Sequence, residues 1–339
     1  MIHLALRITI VIVQIVLGCF VFAQHPNAFK EQVIQGRAQG TTYLIRNFSD
    51  KVILKKDIDS LLDIIDLSMS IYNPSSLISI FNQPATKKVK MDRHMAKVIH
   101  KSVEIHQQTN GYFDITVLPL VSLWGFGPDG YKKNPTDDAV SNILPRVGMR
   151  NLTIKSKKII KNNPDVSIDL NGIAQGYSVD VLARYLEDND VQNYLVELGG
   201  EIKVKGVKDS GQWQIAIQRP YSSNGVRSDS LTYILNLKNK AVTTSGTYEK
   251  KRMVGNTYVS HHINPVTGYP VENATISATV IANTAMEADA LDNYFIYLKP
   301  QQAVEFADKL KGVEVYLIYV ENNSFKEAFS KGFKNYIYN

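Results

Sequence analysis

Two adjacent histidines, His261 and His262, are the clearest candidates for acid–base chemistry in the sequence. They stand in the stretch SHHINPVTGYP (260–270), in which an Asn-Pro pair and a Thr-Gly pair indicate a turn. If the histidines continue a strand, its side chains alternate, so His261 shares a face with Val259 and Ile263 while His262 lies on the polar face. This pattern predicts that His261 faces the core or a pocket. A histidine titrates near pH ~6.5 and suits a general base, although a lone buried histidine is more often structural.

Three oxygen-bearing side chains share one face of a predicted helix in EADALDNYF (287–295). Asp289, Asp292 and Asn293 stand at positions i, i+3 and i+4, so two carboxylates and an amide oxygen lie close together. Mg²⁺ prefers such oxygen ligands. The alternative is an acidic, solvated face near a helix N-terminus. The residues alone leave both interpretations open.

A third candidate is SIDLNGIAQGYSVD (167–180), which is typical of an extended segment that turns into a helix. Free N–H groups at a helix N-terminus bind phosphates, and the Asp169 carboxylate could accept a hydrogen bond from a sugar or base. The glycine spacing matches neither a P-loop nor a dinucleotide fingerprint. A capped turn without a ligand is therefore the alternative.

Aromatic residues are concentrated in NGYFDITVLPLVSLWGFGP (110–128). Tyr112, Phe113 and Trp124 could stack on a flat ring, or they could simply belong to the core. A serine in TTSGTYEKKR (243–252) lacks the frame of a nucleophile elbow, which argues against serine catalysis.

These candidates must be positioned by a mixture of helices and strands. Periodicity predicts helices over 57–70, 92–108, 173–187 and 284–298, and a short helix capped near Thr136. Strands are predicted over 166–170, 194–198, 201–205, 213–218, 231–237, 275–282 and 313–319. Gly199-Gly200 predicts a tight hairpin. The mixture indicates an α+β fold with mixed, mainly antiparallel sheets and packed helices.

Composition limits the class of protein. The chain has 339 residues, of which 44% are hydrophobic, so a large core is possible and disorder is not expected. The net charge of +6 is modest and no run of five like charges occurs, which argues against a nucleic-acid partner. No repeat or low-complexity linker divides the chain.

The N-terminus is typical of a targeting segment. Arg7 precedes a short apolar run, and Val-Phe-Ala ending at Ala23 fits a cleavage site, so 1–23 is predicted to be a signal peptide. The alternative is a lipoprotein signal that ends before Cys19. We expect an exported, periplasmic protein, with a lipid anchor at the inner membrane as the alternative. Cleavage after Ala23 removes the single cysteine, which would exclude thiol chemistry.

Taken together and in order, eight stretches resemble the FAD:protein FMN transferase family, also called the ApbE or thiamine biosynthesis lipoprotein family. They are QGTTY (39–43), SIYNPSSLISIFN (70–82), GYFDITVLPLVSLWGFGP (111–128), SIDLNGIAQGYSVD (167–180), LVELGGEIKVKG (195–206), AVTTSGTYEKKR (241–252), SHHINPVTGYP (260–270) and EADALDNYF (287–295). The resemblance covers about 35–320. It implies a single ApbE-like α+β domain over 24–339.

The resemblance also implies a site, residue by residue. Metal ligands fall on the backbone oxygen of Gly172 and on Asp289, Asp292 and Asn293. Flavin contacts fall on Gln39, Tyr72, Tyr112, Phe113, Asp114, Asp169, Gln175, Glu249 and His262. The catalytic histidine lies four residues before the proline of its motif, which selects His261. The family usually has threonine at 293, methionine at 39 and lysine or glutamate at 175, so this chain departs from the pattern at three positions.

The family resemblance implies a Mg²⁺-dependent enzyme with FAD as its substrate. It would transfer FMN to a Thr or Ser hydroxyl of a partner, such as a membrane redox subunit, and release AMP. The first alternative is an FAD diphosphatase, in which water replaces the hydroxyl. The second is an exported flavin carrier that does not turn over.

Overall fold

The computed structural model describes residues 30–208, 210–218, 220, 231–248, 251–254 and 257–338. The predicted signal peptide, with Cys19, lies outside these residues. In the described part of the chain, no helix combines the length and the apolar character needed to cross a membrane.

The described chain contains both strands and helices, with a run of consecutive strands over residues 194–282. The strands are β1 (Glu31–Ala38), β2 (Thr41–Phe48), β3 (Lys88–Lys90), β4 (Leu152–Lys155), β5 (Lys158–Lys161), β6 (Tyr194–Leu198), β7 (Glu201–Lys205), β8 (Trp213–Gln218), β9 (Leu231–Leu237), β10 (Lys240–Gly246), β11 (Lys251–Val254), β12 (Thr257–Ser260), β13 (Thr275–Ala282), β14 (Glu314–Glu321) and β15 (Ser324–Phe329). The α-helices are α1 (Lys55–Met69), α2 (Leu77–Asn82), α3 (Arg93–Gln108), α4 (Leu118–Leu123), α5 (Asp137–Ile143), α6 (Asn171–Asp188), α7 (Ala285–Tyr297) and α8 (Pro300–Ala307).

One large sheet organises the fold, in the order β1-β2-β6-β7-β10-β13-β14-β15. Its neighbouring strands all pair antiparallel, which confirms the predicted α+β fold with mainly antiparallel sheets. Helices α6 and α7 pack on one face of the sheet, and the β8–β9 hairpin packs on the other. Strand β13 is apolar almost throughout because both of its faces are buried. Ala278 and Val280 join the core on the helix side, and Ile281 joins the core on the hairpin side.

The Gly199-Gly200 hairpin forms as predicted between β6 and β7. Gly199 has φ 64° and Gly200 has φ 109°, values that glycine adopts without the penalty of a side chain. Helix starts also follow their caps. The Asp92 carboxylate accepts from the His94 and Met95 N–H groups at 2.9 and 2.8 Å, so α3 begins one residue later.

The strand predicted over 166–170 is wrong. This segment belongs to no helix and joins no sheet. Its backbone pairs with other groups: the Ile168 N–H donates to Oδ1 of Asn82 at 2.8 Å, and the Asp169 N–H donates to the Ile115 carbonyl at 2.7 Å. Val166 and Ile168 are fully buried. The apolar alternation therefore reflects burial, and a side-chain amide takes the place of a neighbouring strand.

Candidate active site

A cleft gathers residues that are far apart in the sequence. Its lining comes from the 111–128 loop, from the start of α6, from the segment after β12 and from α7. The predicted site residues that line it are Tyr72, Tyr112, Phe113, Asp114, Asp169, Gly172, His261, His262 and Asn293. The structure thus brings the predicted aromatic, acidic and histidine residues to one place.

A second cleft adjoins the first, because Tyr72 and Asn171 line both. It contains the predicted Gln39 and Gln175. Gln39 lies in the β1–β2 turn with φ 52°, and its Nε2 donates to Ser178 Oγ at 2.9 Å. The predicted contact residue Glu249 lies outside the described residues. Because the two clefts share lining residues, they offer adjoining space for an extended ligand.

Helices α6 and α7 approach each other closely behind the first cleft. A Cβ added at Gly176 would collide with the backbone carbonyl of Ala285, so only glycine fits there. The Gly176 N–H donates to Oδ2 of Asp289 at 2.8 Å. In a regular helix this N–H would pair with the Gly172 carbonyl. Gly172 instead has non-helical angles, φ −85° and ψ 19°, which turns its carbonyl out of the regular helical pattern.

The remaining metal candidates lie beside this kink. An ideal Cβ on Gly172 would stand 3.4 Å from Nδ2 of Asn293, which places the two residues in contact. That Nδ2 donates to Oδ1 of Asp292 at 3.1 Å and to the Asp289 carbonyl at 2.9 Å. Its amide oxygen accepts from Ser245 Oγ at 3.3 Å. Gly172, Asp292 and Asn293 are therefore neighbours beside the kink of α6, and Asp289 lies one helical turn earlier on α7 with its carboxylate on the Gly176 N–H.

The two carboxylates are unusually buried for acidic groups. Asp289 is 3% exposed and Asp292 is 2% exposed. Burial raises the pKa of Asp289 to about 7, and the hydrogen bond from Gly176 offsets this only partly. A buried carboxylate without a cation is costly, and a bound divalent ion would remove that cost. The donor set therefore fits a hard cation such as Mg²⁺.

Only two of the four predicted metal ligands are charged side chains. The described residues contain no group of three or more His, Cys, Asp and Glu side chains able to hold a metal. A cation at this place would need the amide oxygen of Asn293 and the backbone oxygen of Gly172 in addition to the two carboxylates.

The structure corrects the predicted orientation of the histidines. Strand β12 ends at Ser260, so alternation does not extend to them. His262 is the more buried of the two, 3% exposed, whereas His261 is only partly buried. Their rings are 4.1 Å apart and both line the cleft. His261 thus lines a pocket, as alternation predicts, but His262 is the more buried of the two, whereas alternation places it on the polar face.

Neighbouring backbone and aromatic groups hold this pair. The His262 carbonyl accepts from the Val271 N–H at 2.8 Å, and the Tyr297 hydroxyl donates to the Ile263 carbonyl at 3.0 Å. The ring of Phe126 stands edge-on to His261 at 6.3 Å. The turn that follows the histidines closes as predicted, since the Gly268 N–H donates to the Asn264 carbonyl at 2.8 Å.

Asp114 also has a structural task. Its Oδ1 accepts from the Thr116 N–H at 2.8 Å, and its Oδ2 accepts from the Met149 N–H at 3.2 Å. The His106 Nδ1 lies 3.6 Å from the same Oδ2. Asp114 therefore fixes the aromatic loop against its neighbours as well as lining the cleft.

Sequence reasoning missed several lining residues. They are Asn171 in both clefts, Phe126 and Tyr297 in the first, and Asp66 in the second. Tyr297 stands four residues after Asn293 and so falls on the same helix face, a signal that the sequence carries. Nothing in the local sequence distinguishes Asp66 from the other acidic residues of α1.

Comparison with known proteins agrees with this geometry. The ApbE family model matches residues 39–317. The FAD:protein FMN transferase of Haemophilus influenzae is 34% identical over 315 residues, covering 89% of this chain and 90% of the relative. That of Vibrio cholerae is 34% identical over 316 residues, covering 91% and 93%.

Solved structures agree as well. The flavin transferase ApbE from Vibrio cholerae superposes with a TM-score of 0.81 at 32% identity, covering 91% of this chain and 99% of that one. The apo flavinyl transferase ApbE of Pseudomonas stutzeri gives 0.80 at 28% identity, covering 91% and 96%. The chain has the α+β fold of the flavin transferases, and it belongs to the ApbE family. The resemblance seen in the sequence is thereby confirmed.

Proposed function

We propose that the chain is an FAD:protein FMN transferase. It moves FMN from FAD to a Thr or Ser hydroxyl of a partner protein, forms a phosphoester bond and releases AMP. The observation that carries the proposal is the position of a partly exposed histidine, His261, in a cleft backed by the buried Asp289 and Asp292. The names of the relatives support the same reaction.

The cleft residues suit the two ends of FAD. Tyr112 and Phe113 offer aromatic faces for a flat ring system. Tyr72 stands between the two clefts and is 61% exposed, so it is accessible to a ligand that spans both. Gln39 and Gln175 supply hydrogen-bonding amides in the second cleft. FAD, with two ring systems joined by a diphosphate, fits such a divided space.

We assign the Mg²⁺ ligands to Asp289, Asp292, Asn293 and the Gly172 carbonyl. When bound, Mg²⁺ supplies positive charge that orients the diphosphate and stabilises the departing phosphate oxygen. The carboxylates are already held for this role, because Gly176 bonds one and Asn293 bonds the other. Their position between two packed helices keeps water from competing for them.

We assign His261 as the general base. A hydroxyl is a poor nucleophile until a base takes its proton. A ring nitrogen of His261 would accept the hydroxyl proton while the oxygen attacks the FMN phosphorus. The bond from that phosphorus to AMP then breaks, and AMP leaves with the electron pair. His262, packed behind His261, is assigned to line the flavin site.

The reaction is tested by incubating the protein with FAD, Mg²⁺ and candidate acceptor proteins. We expect acceptor mass to rise by one FMN on a Thr or Ser, with one AMP released for each transfer. Rapid AMP release without an acceptor would instead establish an FAD diphosphatase. Tight FAD binding with no AMP under any condition would establish a carrier.

We further propose that the protein is exported and acts in the periplasm on a membrane redox subunit. Arg7 and the apolar segment before Ala23 support this. The mass of the mature N-terminus checks it. Cleavage after Ala23 gives an unmodified chain beginning at Gln24, whereas a lipid-anchored chain would begin at a modified Cys19.

A further inference from the structure

Helix α7, which carries three of the assigned metal ligands, is held at its start by a residue of another helix. The Asp180 side chain on α6 accepts from the Ala285 N–H at 3.1 Å through Oδ1 and from the Met286 N–H at 3.0 Å through Oδ2. These are the first two N–H groups of α7, which lack partners within the helix itself. A single carboxylate thus binds both.

The next two N–H groups of α7 have a local partner. The Thr284 hydroxyl accepts from the Glu287 N–H at 3.2 Å, and the Thr284 carbonyl accepts from the Ala288 N–H at 3.2 Å. A local cap begins a helix but does not fix where it lies in the fold. Asp180 does fix it, because its hydrogen bonds cross between two helices.

A third element completes the contact. Nζ of Lys203, on strand β7, lies 2.7 Å from Oδ1 of Asp180, and the two side chains are only 18% and 13% exposed. The Asp180 carboxylate is therefore anchored on the sheet while it binds α7. Asp180 ties α6, α7 and β7 together at one point.

This point lies close to the assigned metal ligands. Asp289 follows Ala285 by four residues, or about 6 Å along α7, and Gly172 precedes Asp180 by about two turns of α6. A slide of α7 by one residue would move its ligands about 1.5 Å relative to Gly172. Metal–ligand distances tolerate only about 0.2 Å. The register of α7 against α6 therefore decides whether the ligands can meet around one ion.

We infer that Asp180 is a positioning residue for the Mg²⁺ site, setting its affinity by holding α7 in register with α6. The inference rests on the proposed metal ligands. Residues that orient metal ligands without touching the metal typically change affinity about 10–100-fold. Asp180 acts on the ligands through the helix backbone rather than through a side-chain contact.

The test measures Mg²⁺ binding by calorimetry in the full protein with FAD bound. We expect Asp180→Ala to weaken Mg²⁺ binding about tenfold or more. Asp180→Asn should weaken it less, since its amide oxygen still accepts one N–H. FAD binding in EDTA should stay the same, and saturating Mg²⁺ should restore most of kcat in Asp180→Asn.

Two control variants separate the cap from its surroundings. Asp188→Asn removes a carboxylate from the same helix, where it pairs with the exposed Arg184 at 2.9 Å, and should leave Mg²⁺ affinity unchanged. Lys203→Met removes the ion pair but keeps both cap hydrogen bonds, so it should weaken Mg²⁺ binding less than Asp180→Ala does.

The outcomes can be told apart. A folded Asp180→Ala protein with unaltered Mg²⁺ affinity would overturn the inference, and Asp180→Asn decides the matter if the alanine variant does not fold. An unmodified protein that binds no Mg²⁺ would overturn the metal assignment and this inference with it. Mg²⁺ binding that depends on Asp180 without any FMN transfer would overturn only the proposed function.

Discussion

Two carboxylates lie between α6 and α7, the partly buried Asp180 and the buried Asp289, and their charges have different partners. Asp180 accepts two backbone N–H groups and pairs with Lys203, so its charge is compensated within the protein. Asp289 accepts one backbone N–H, and within the described residues no Lys or Arg pairs with it. Its pKa is correspondingly raised by burial, to about 7. A lysine thus balances the carboxylate charge at the Asp180 end of the contact between α6 and α7, and in the part of the chain that the structure describes no such cation balances it at the Asp289 end.

The different partners of Asp180 and Asp289 distinguish a residue that supports the fold from one that belongs to the candidate site. A compensated buried charge contributes to a defined arrangement of helices. A buried carboxylate without a cationic partner lowers the stability of the fold. Its presence therefore indicates a functional role, here metal binding. Replacing Asp180 should therefore lower the stability of the fold, whereas replacing Asp289 should abolish Mg²⁺ binding without lowering that stability.

The largest expected effect is at Asp289. Asp289→Asn keeps an oxygen to accept the Gly176 N–H but loses the charge, so Mg²⁺ binding should be lost and FMN transfer should fall about ten-thousandfold. In EDTA the variant should be at least as stable as the unmodified protein, because an uncompensated buried charge is removed. Calorimetry with Mg²⁺ and thermal melts check both. A lower melting temperature for this variant would show that Asp289, like Asp180, stabilises the fold.

The next effect is at His261, which lines the first cleft. His261→Ala should slow FMN transfer about a thousandfold, the range expected for loss of a general base. It should bind FAD and Mg²⁺ normally, because His261 is not among the assigned metal ligands. Rate and binding measurements on one preparation test this. FMN labelling of the acceptor at the normal rate would contradict the catalytic assignment of His261. The matched variant is His262→Ala, at the neighbouring buried histidine.

A smaller effect is expected where the two helices touch. Gly176→Ala adds a methyl group against the Ala285 carbonyl, so α7 must move away and the free energy of unfolding should fall by about 1–3 kcal/mol. The same movement should weaken Mg²⁺ binding. Denaturant titration measures the loss, with the exposed Arg184→Ala on the same helix as a control that should change little. A stable variant with normal Mg²⁺ affinity would mean that the close approach does not shape the site.

The smallest effect concerns a buried group away from the clefts. The pKa of His94 is lowered by burial and by neighbouring Arg93, whose Nε donates to the His94 Nε2 at 3.0 Å. The folded state therefore favours neutral His94. Its contribution to stability is present above pH ~6.5 and is lost as the pH falls through the lower pKa of the folded state.

His94→Gln keeps hydrogen-bonding groups but does not titrate. Unfolding measured between about pH 5 and pH 7.5 should show a shallower fall in stability at acid pH for this variant. An identical slope in both proteins would assign the acid sensitivity to other groups. Because His94 lines neither cleft, replacing it should alter the stability of the fold without altering Mg²⁺ binding.

Much of the fold can be read from local patterns. Strands β6 to β9 and β13 have the bounds that the sequence predicts, because they are rich in β-branched and aromatic residues and lie between turn signals. The edge hairpin β1–β2 is not predicted, since its polar residues mask the alternation. The 166–170 segment resembles a strand because burial on one side produces the same pattern as a sheet.

The candidate site is predictable in its components but not in its geometry. Helical spacing alone places Asp289, Asp292 and Asn293 on one face. Spacing cannot decide between a solvated face and a buried one. Alternation also favours the wrong histidine as the buried member, because β12 ends before the pair and the turn sets their directions.

The sequence by itself determined the family, the α+β class and the helix that carries the carboxylates, because these depend on motifs and on periodicity along the chain. Only the tertiary structure decided that α6 and α7 meet at Gly176, that Asp180 holds one end of their contact, and that no Lys or Arg of the described chain pairs with Asp289 at the other. These facts depend on which groups meet across about 105 residues of chain, and local sequence patterns do not encode such pairings.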